Sequence, residues 1–242
     1  ANHRSIAWGI ARALDREGAR LALSYLGERE REGIEKIVGQ LNAPPLLVQC
    51  DVSDDDSVSA AFTRFSDELG RLDALVHAIA FAKREDLDGR YTDTSRDGSH
   101  LALDVSAFSL NCLVRAAEPL MTDGGSIVGL DFDARFAWPA YNWMGVAKAA
   151  LESTSRYLAR SLGGDDIRVN IVAAGPIRTM AAKSIPGFAA FEDAWGTRAP
   201  LGWDVNDSEP IARACVALMS DWFPATTGEM VHVDGGYHAI GA

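Results

Sequence analysis

The chain has 242 residues, 48% of them hydrophobic and 24% charged, with a formal net charge of −11. That is enough apolar material for one substantial core and too much for a disordered chain. The acidic balance excludes a nucleic-acid binder, which needs a basic face to displace counterions, and no run approaches the roughly 18–20 apolar residues that cross a bilayer.

The opening segment carries Ile6, Ile10, Ala13 and Leu14 at helical spacing and stops at Gly18, which predicts a helix from Ser5 to Arg16. It lacks the apolar stretch and cleavage site of a signal peptide. A short apolar run at 20–26 reads as a buried strand, 28–41 as a charged helix, 45–50 as a strand and 55–69 as a helix. A strand at 72–81 is followed by a polar loop to about 97, then a helix over 99–118 and a strand at 125–130. A long helix over 139–162 opens with Pro139 in its first turn and stops at Gly163-Gly164. A strand at 167–175 leads into an irregular, Pro- and Gly-punctuated stretch, and a helix at 208–220 and a strand at 229–236 close the chain. Strand–helix alternation with near-continuous Val/Ile/Leu strands predicts an α/β fold: one domain over 1–242, a doubly wound, Rossmann-like parallel sheet covered on both faces.

Such a fold opens with a strand and a glycine-rich turn before its first helix. Nothing before Ser5 supplies either, so the pattern implies that the first strand and glycine turn are missing from the chain as given. Cys50, Cys112 and Cys215 have no CxxC or Cys/His spacing, which points away from disulfides and toward a reducing cytoplasm. The five histidines are not grouped as ligands, so no metal is expected.

The segment from Gly125 to Arg156 carries the most chemistry. Tyr141 and Lys148 lie seven apart on the long helix, and ~100° per residue brings them within ~20° of the same face. A phenol beside an ammonium suits proton donation or oxyanion stabilisation, because the cation favours the phenolate. An interfacial aromatic beside a solvated charge produces the same spacing.

This segment resembles the short-chain dehydrogenase/reductase superfamily. The usual Tyr-x3-Lys spacing fails, since position 145 is Gly, and the Tyr-x6-Lys at 141–148 is that of the divergent enoyl-acyl carrier protein reductases. SIAWGIA (5–11), CDVSDD (50–55), LVHAIAFA (75–82), AGPIRT (174–179) and TTGEMVHVDGG (226–236) agree with it. The runs DFD…PAYNWM…AK…ALES, RAPLGW and LMSDWFPATTG are similar to the branch that includes the isoniazid-target reductase.

The resemblance implies NADH-dependent reduction of an enoyl thioester in fatty acid synthesis, by a cytoplasmic homotetramer. It places Lys148 on the nicotinamide ribose and Tyr141 on the thioester carbonyl. Phe132, where many relatives have a second tyrosine, packs on the nicotinamide or steers the acyl chain; a core phenylalanine at a strand end is the alternative. For the cofactor it implies Ser5 and Ile6 at the pyrophosphate and Asp51 and Val52 at the adenine. Asp51 also suits an N-cap of the next helix. Ala78, Ile79 and Ala80 pass beneath the ribose and nicotinamide, and Ile177 and Thr179 meet the carboxamide and pyrophosphate. Relatives have Ser-Ile-Gly at 78–80, so the two alanines are expected to weaken cofactor or inhibitor binding.

After the second strand, Tyr25-Leu26-Gly27-Glu28 has no cation at the first positions, which favours NADH, with NADPH second through Arg29. The apolar stretch at about 180–203 suits a substrate loop, and its shortness suggests shorter acyl chains. Arg178, Lys183 and Arg198 are expected to form a basic patch for an acidic carrier protein. Another short-chain oxidoreductase acting on a ketone or alcohol, and a non-catalytic nucleotide-binding protein of the same fold, are the competing readings.

Overall fold

The computed structural model describes residues 2–180, 182 and 187–241. Strands β1 (Ala22–Tyr25) and β2 (Leu46–Gln49) pair in parallel, Ala22 opposite Leu46. Strands β3 (Ala74–His77), β4 (Gly125–Asp131), β5 (Ile167–Ala174) and β6 (Met230–Val233) form a second parallel sheet in that order. Helix α1 (Ile6–Arg16) precedes β1; parallel neighbours require crossovers, and these carry helices α2 (Glu28–Glu35), α3 (Asp55–Leu69), α4 (Arg96–Leu103), α5 (Ser109–Ala117), α6 (Asn142–Leu162), α7 (Phe188–Arg198) and α8 (Glu209–Met219).

Side-chain alternation along β4 and β5 separates two apolar layers. Val128 and Val172 pack with Ile10 and Ala13 of α1 and Ile211 and Cys215 of α8. Ile127 and Val169 pack on the other face with Leu110 and Val114 of α5 and Leu151 of α6. A third cluster joins Val48 and Cys50, at the end of β2, to Phe62 and Phe65 of α3 and Leu113 of α5. Trp8 and Ala11 of α1 meet Leu23 of β1 and Leu21 just before it. Helix α1 therefore touches both sheets, and the α/β expectation holds with helices on both faces.

Several boundaries differ from expectation. The sheet is in two pieces, because β1 and β3 do not pair with each other. Helix α2 ends at Glu35, and a short 3₁₀ turn, Val38–Gln40, follows. The helical run after the polar loop starts at Arg96 and is interrupted by a π segment, Asp104–Phe108. The Ser106 hydroxyl there accepts from the Phe81 amide at 2.9 Å and donates to the Phe81 carbonyl at 3.0 Å, clamping the loop after β3. Asp54, not Asp51, caps α3, taking the Asp56 amide at 3.0 Å. Asp51 instead accepts from the Ser53 amide and hydroxyl in a local turn.

Two corrections bear on the site. Helix α6 begins at Asn142 rather than at Pro139, because Ala140 stands at a left-handed φ of 51° and Tyr141 is the N-cap. Residues 188–198, expected to be irregular, are helix α7, which buries Phe191 and Trp195 one turn apart. No helix among the described residues is long and apolar enough to cross a membrane.

Candidate active site

In a parallel sheet every carboxyl end lies on one edge, and ligands bind in the crevice outside it. Most of the sequence-chosen residues fall there. Asp51 and Val52 follow β2, Ala78–Ala80 follow β3, Phe132 follows β4, and Ile177 and Thr179 follow β5. Ser5 caps α1, its hydroxyl accepting the Trp8 amide at 3.2 Å, and Ile6 starts the helix. Ala80 and Phe81 are exposed, whereas Ile177 is buried against the β4–β5 core. Thr179 turns its hydroxyl inward along the chain, accepting from the Ala182 amide at 3.0 Å.

Tyr141 and Lys148 come to the end of β4, although not by simple helical register. Tyr141 has φ −128° and ψ −18°, outside the helix, so its side-chain direction is set by the turn at Ala140. Its carbonyl starts α6 by accepting the Gly145 amide at 3.1 Å. Lys148 is buried two turns in, and its Nζ donates to the Leu130 carbonyl of β4 at 2.7 Å. An ammonium carries three donors. With no second hydrogen bond among the described residues, two of them are free to hold hydroxyl groups at the sheet edge. That is the donor set a nicotinamide ribose needs, so the residues present fit the cofactor.

The site is desolvated and charged. Burial pushes the Lys148 ammonium down in pKa, and the nearby Asp131 carboxylate opposes this. Tyr141 keeps part of its ring exposed, but burial of its hydroxyl, then the Asp131 charge, pushes the phenol well above its ordinary value. It is a proton donor near neutral pH. His77, at the end of β3, is fully buried, and its Nε2 bonds the Ser109 hydroxyl at 2.8 Å. Burial and the Lys148 charge hold the ring down to about 3, so it is neutral.

Phe132 lies at the centre of an aromatic cluster rather than at a plain strand end. Its ring centroid is 5.2 Å from Tyr141, 5.1 Å from Trp138, 5.7 Å from Phe191 and 5.8 Å from Trp195. Trp195 stacks on Tyr237 at 3.7 Å with an interplanar angle of 10°. Beyond this wall lies a cavity of about 430 Å³, bounded by Phe132, Trp138, Trp195, Arg198, His232 and Tyr237 among others. Tyr141 and Lys148 do not line it, and Phe132 separates the two regions.

Sequence reasoning missed Asp131, His77, Trp138 and the helical placement of Phe191 and Trp195. A signal for Asp131 was present: an apolar buried strand, Gly125–Asp131, that ends in a charge. Trp138 and Trp195 reach Phe132 only through tertiary packing, which no spacing encodes.

The expected basic patch is not available as drawn. Arg178 is held by both oxygens of Glu192 at 2.7 and 2.8 Å. Arg198 donates to the carbonyls of Ile240 and Gly241 and lies over the Tyr237 ring. Lys183 lies outside the described residues.

Comparison with known proteins agrees with this geometry. The family profile described as enoyl-(acyl carrier protein) reductase matches residues 1–238. The chain is 46% identical over 242 residues to the NADPH enoyl-[acyl-carrier-protein] reductase of Staphylococcus aureus (strain MRSA252), covering 99% of this chain and 94% of that one. It is 43% identical over 240 residues to the NADH enzyme of Bacillus subtilis (strain 168), covering 98% and 93%. Among solved structures, the Bacillus cereus enoyl-acyl carrier protein reductase with NADP+ and indole naphthyridinone superposes with a TM-score of 0.96 at 43% identity, covering 100% of this chain and 95% of that one. The Anaplasma phagocytophilum enzyme in complex with NAD superposes at 0.92 and 41% identity, covering 100% and 90%. With the family profile matching residues 1–238 and relatives 43% and 46% identical over nearly the whole chain, the chain belongs to the enoyl-acyl carrier protein reductase family.

Proposed function

We propose that the chain reduces the trans-2 double bond of an enoyl thioester carried on acyl carrier protein, in fatty acid synthesis, with NADH as its cofactor. The observation that carries this is the buried Lys148 ammonium at the carboxyl edge of the sheet, which spends one hydrogen bond on Leu130, with Tyr141, its phenol held protonated, as the N-cap of the same helix. NADH, when bound, supplies the hydride. The two free donors of Lys148 hold its ribose hydroxyls. Tyr141 donates to the thioester carbonyl, the oxygen on which negative charge develops, and a high phenol pKa keeps the donor proton in place. Phe132 has no proton to give; it packs on Tyr141 and shields that hydrogen bond from water.

Ser5, Ile6, Asp51, Val52, Ala78, Ile79, Ala80, Ile177 and Thr179 are proposed to line the remainder of the cofactor's path along the same edge. NADH is preferred because Leu26, Gly27 and Glu28 follow β1 without a cation, and Arg31 is committed to Glu28 and Glu35. Arg29 keeps NADPH as the second choice, the cofactor named for the Staphylococcus aureus relative. Residues about 180–203, with α7 at their centre, are proposed to cover the acyl chain. A homotetramer and a cytoplasmic location complete the reading.

The test is loss of NADH absorbance on addition of a crotonyl or longer enoyl thioester, compared between carrier protein and coenzyme A. Turnover of the enoyl thioester is expected, with NADH binding lost in Lys148→Met. Reduction of ketones without any enoyl turnover would overturn the reading.

A further inference from the structure

Asp131 closes β4 opposite Ala173 of β5, with 5% of its surface exposed. Among the described residues, neither of its carboxylate oxygens has a hydrogen-bond partner. The carbonyl immediately before it, on Leu130, is the one that receives the Lys148 Nζ. Carboxylate and ammonium therefore flank a single peptide unit in a site from which water is largely removed. Burying a carboxylate without hydrogen bonds is costly unless a cation nearby compensates. The described residues offer Lys148 for that purpose.

The other titratable groups facing this point do not replace it. Glu152 lies one turn after Lys148 on α6, but it makes no ion pair with it and accepts the Ala134 amide at 3.1 Å instead. Asp133 is taken by Arg135 and His232. His77, on β3, is neutral and carries no negative charge to balance an ammonium. Burial pushes Asp131 itself up to about 7; the Lys148 charge works against this, while Glu152 and Asp133 add to it. The Phe132 amide favours the ionised form without reaching hydrogen-bond geometry.

We propose that Asp131 is a positioning residue for Lys148: its carboxylate holds Lys148 as the ammonium that donates to the cofactor ribose, and adds to the burial that already keeps Tyr141 protonated. This rests on the roles given to Lys148 and Tyr141 above. Without the carboxylate, a buried lysine loses the interaction that opposes desolvation and gives up its proton at lower pH. Tyr141 loses a neighbouring anion, so its pKa falls as well. Both changes act at the same place and in the same direction along the pH axis.

The experiment is NADH binding by fluorescence titration from pH 6 to 9.5, on the wild type and the near-isosteric Asp131→Asn, with thermal melts to establish folding. In D131N the affinity should fall with rising pH at a midpoint about 1–2 pH units below that of the wild type, the size of shift an opposite charge within ~4–6 Å produces. The two proteins should converge at the acid end, where Lys148 is protonated in both. If D131N does not melt cooperatively, Asp131→Ser, which leaves room for a water, is measured against the same expectation. Superimposable pH dependences would overturn the role of Asp131 while leaving the cofactor reading intact. A wild type that binds no NADH at any pH would overturn both, and the two outcomes are told apart by the wild-type curve alone.

Discussion

Gly175, the residue after β5, stands where two rigid side chains meet the carboxyl edge of the sheet, and replacing it with alanine tests how that edge is held. A methyl there would lie 2.6 Å from Cε2 and 2.8 Å from Cζ2 of Trp203, and 3.1 Å from Nε1 of Trp195. Carbon atoms prefer ~3.5–4.0 Å, so a shift of about 1 Å is forced. Neither ring gives way freely. Trp203 Nε1 donates to the Pro176 carbonyl at 2.8 Å, and Trp195 is stacked on Tyr237. Overpacking of this kind costs ~1–3 kcal/mol. For a chain of this size each kcal/mol lowers Tm by about 2–4 °C, so Gly175→Ala should melt ~2–12 °C below the wild type.

The displacement also has a functional readout, because the carbonyl that anchors Trp203 belongs to Pro176, next to Ile177. Calorimetric melts and NADH titrations on G175A should therefore show both a lower Tm and a weaker Kd. Gly39→Ala is the control, since nothing lies within 4 Å of a Cβ built there. A G175A protein that melts with G39A and binds NADH like the wild type would refute the packing argument and the link from Trp203 to the cofactor loop.

Tyr141→Phe should lower kcat on an enoyl thioester by ~10²–10³, the cost of one oxyanion donor, with NADH Kd unchanged; an equal rise in Kd would make Tyr141 a packing residue. Ala78→Ser with Ala80→Gly should tighten NADH binding, and unchanged affinity in a titration would count against a penalty from the two alanines. Asp133 is pushed up by burial but held down at about 2 by Arg135 and His232. Its contribution is present above the unfolded carboxylate range and lost as pH falls through 2. Asp133→Asn should thus melt below the wild type at pH 5–7, with the gap closing toward pH 2; a gap that persists there would mean lost packing instead. Burial pushes the Cys50 thiol up to about 11 and Cys215 up to about 12, and raises Cys112 too. A thiol reagent near neutral pH should label all three only after denaturation, and rapid native labelling would show that these sites open.

The carboxyl edge of the sheet was legible because strand ends are. Gly and Pro punctuation marks where each apolar run stops, and parallel pairing brings those stops together without any knowledge of side-chain contacts. Asp51, Ile79, Phe132 and Ile177, which the family resemblance singled out, each stand a few residues from a strand end. The same reasoning failed at Tyr141. Pro139 reads as a first-turn residue, yet the left-handed φ of Ala140 delays the helix to Asn142. A non-glycine residue in that conformation leaves no mark in the sequence. Helix α7 was hidden for the opposite reason: Gly187, Gly196 and Pro200 advertise loops, while the burial of Phe191 and Trp195 that stabilises the helix depends on Phe132, more than fifty residues earlier.

What stayed illegible is what depends on which charges share a desolvated volume. Composition counts Asp131, Glu152, Arg178 and Arg198 alike, but the fold assigns them different work. Arg178 is paired with Glu192, which cancels much of the positive field an acidic carrier would feel at long range, whereas Arg198 bonds only carbonyls and keeps its charge. Asp131, one of 34 acidic side chains, lies near the buried ammonium, with both oxygens unpartnered among the described residues. At a solvated surface such a charge would be screened to almost nothing. Inside the site, where a dipole or charge keeps most of its strength, the same carboxylate bears on the protonation of both Lys148 and Tyr141. A net charge of −11 therefore says little about the chemistry, because the one negative charge that acts on the Tyr141–Lys148 pair is the one the solvent does not reach.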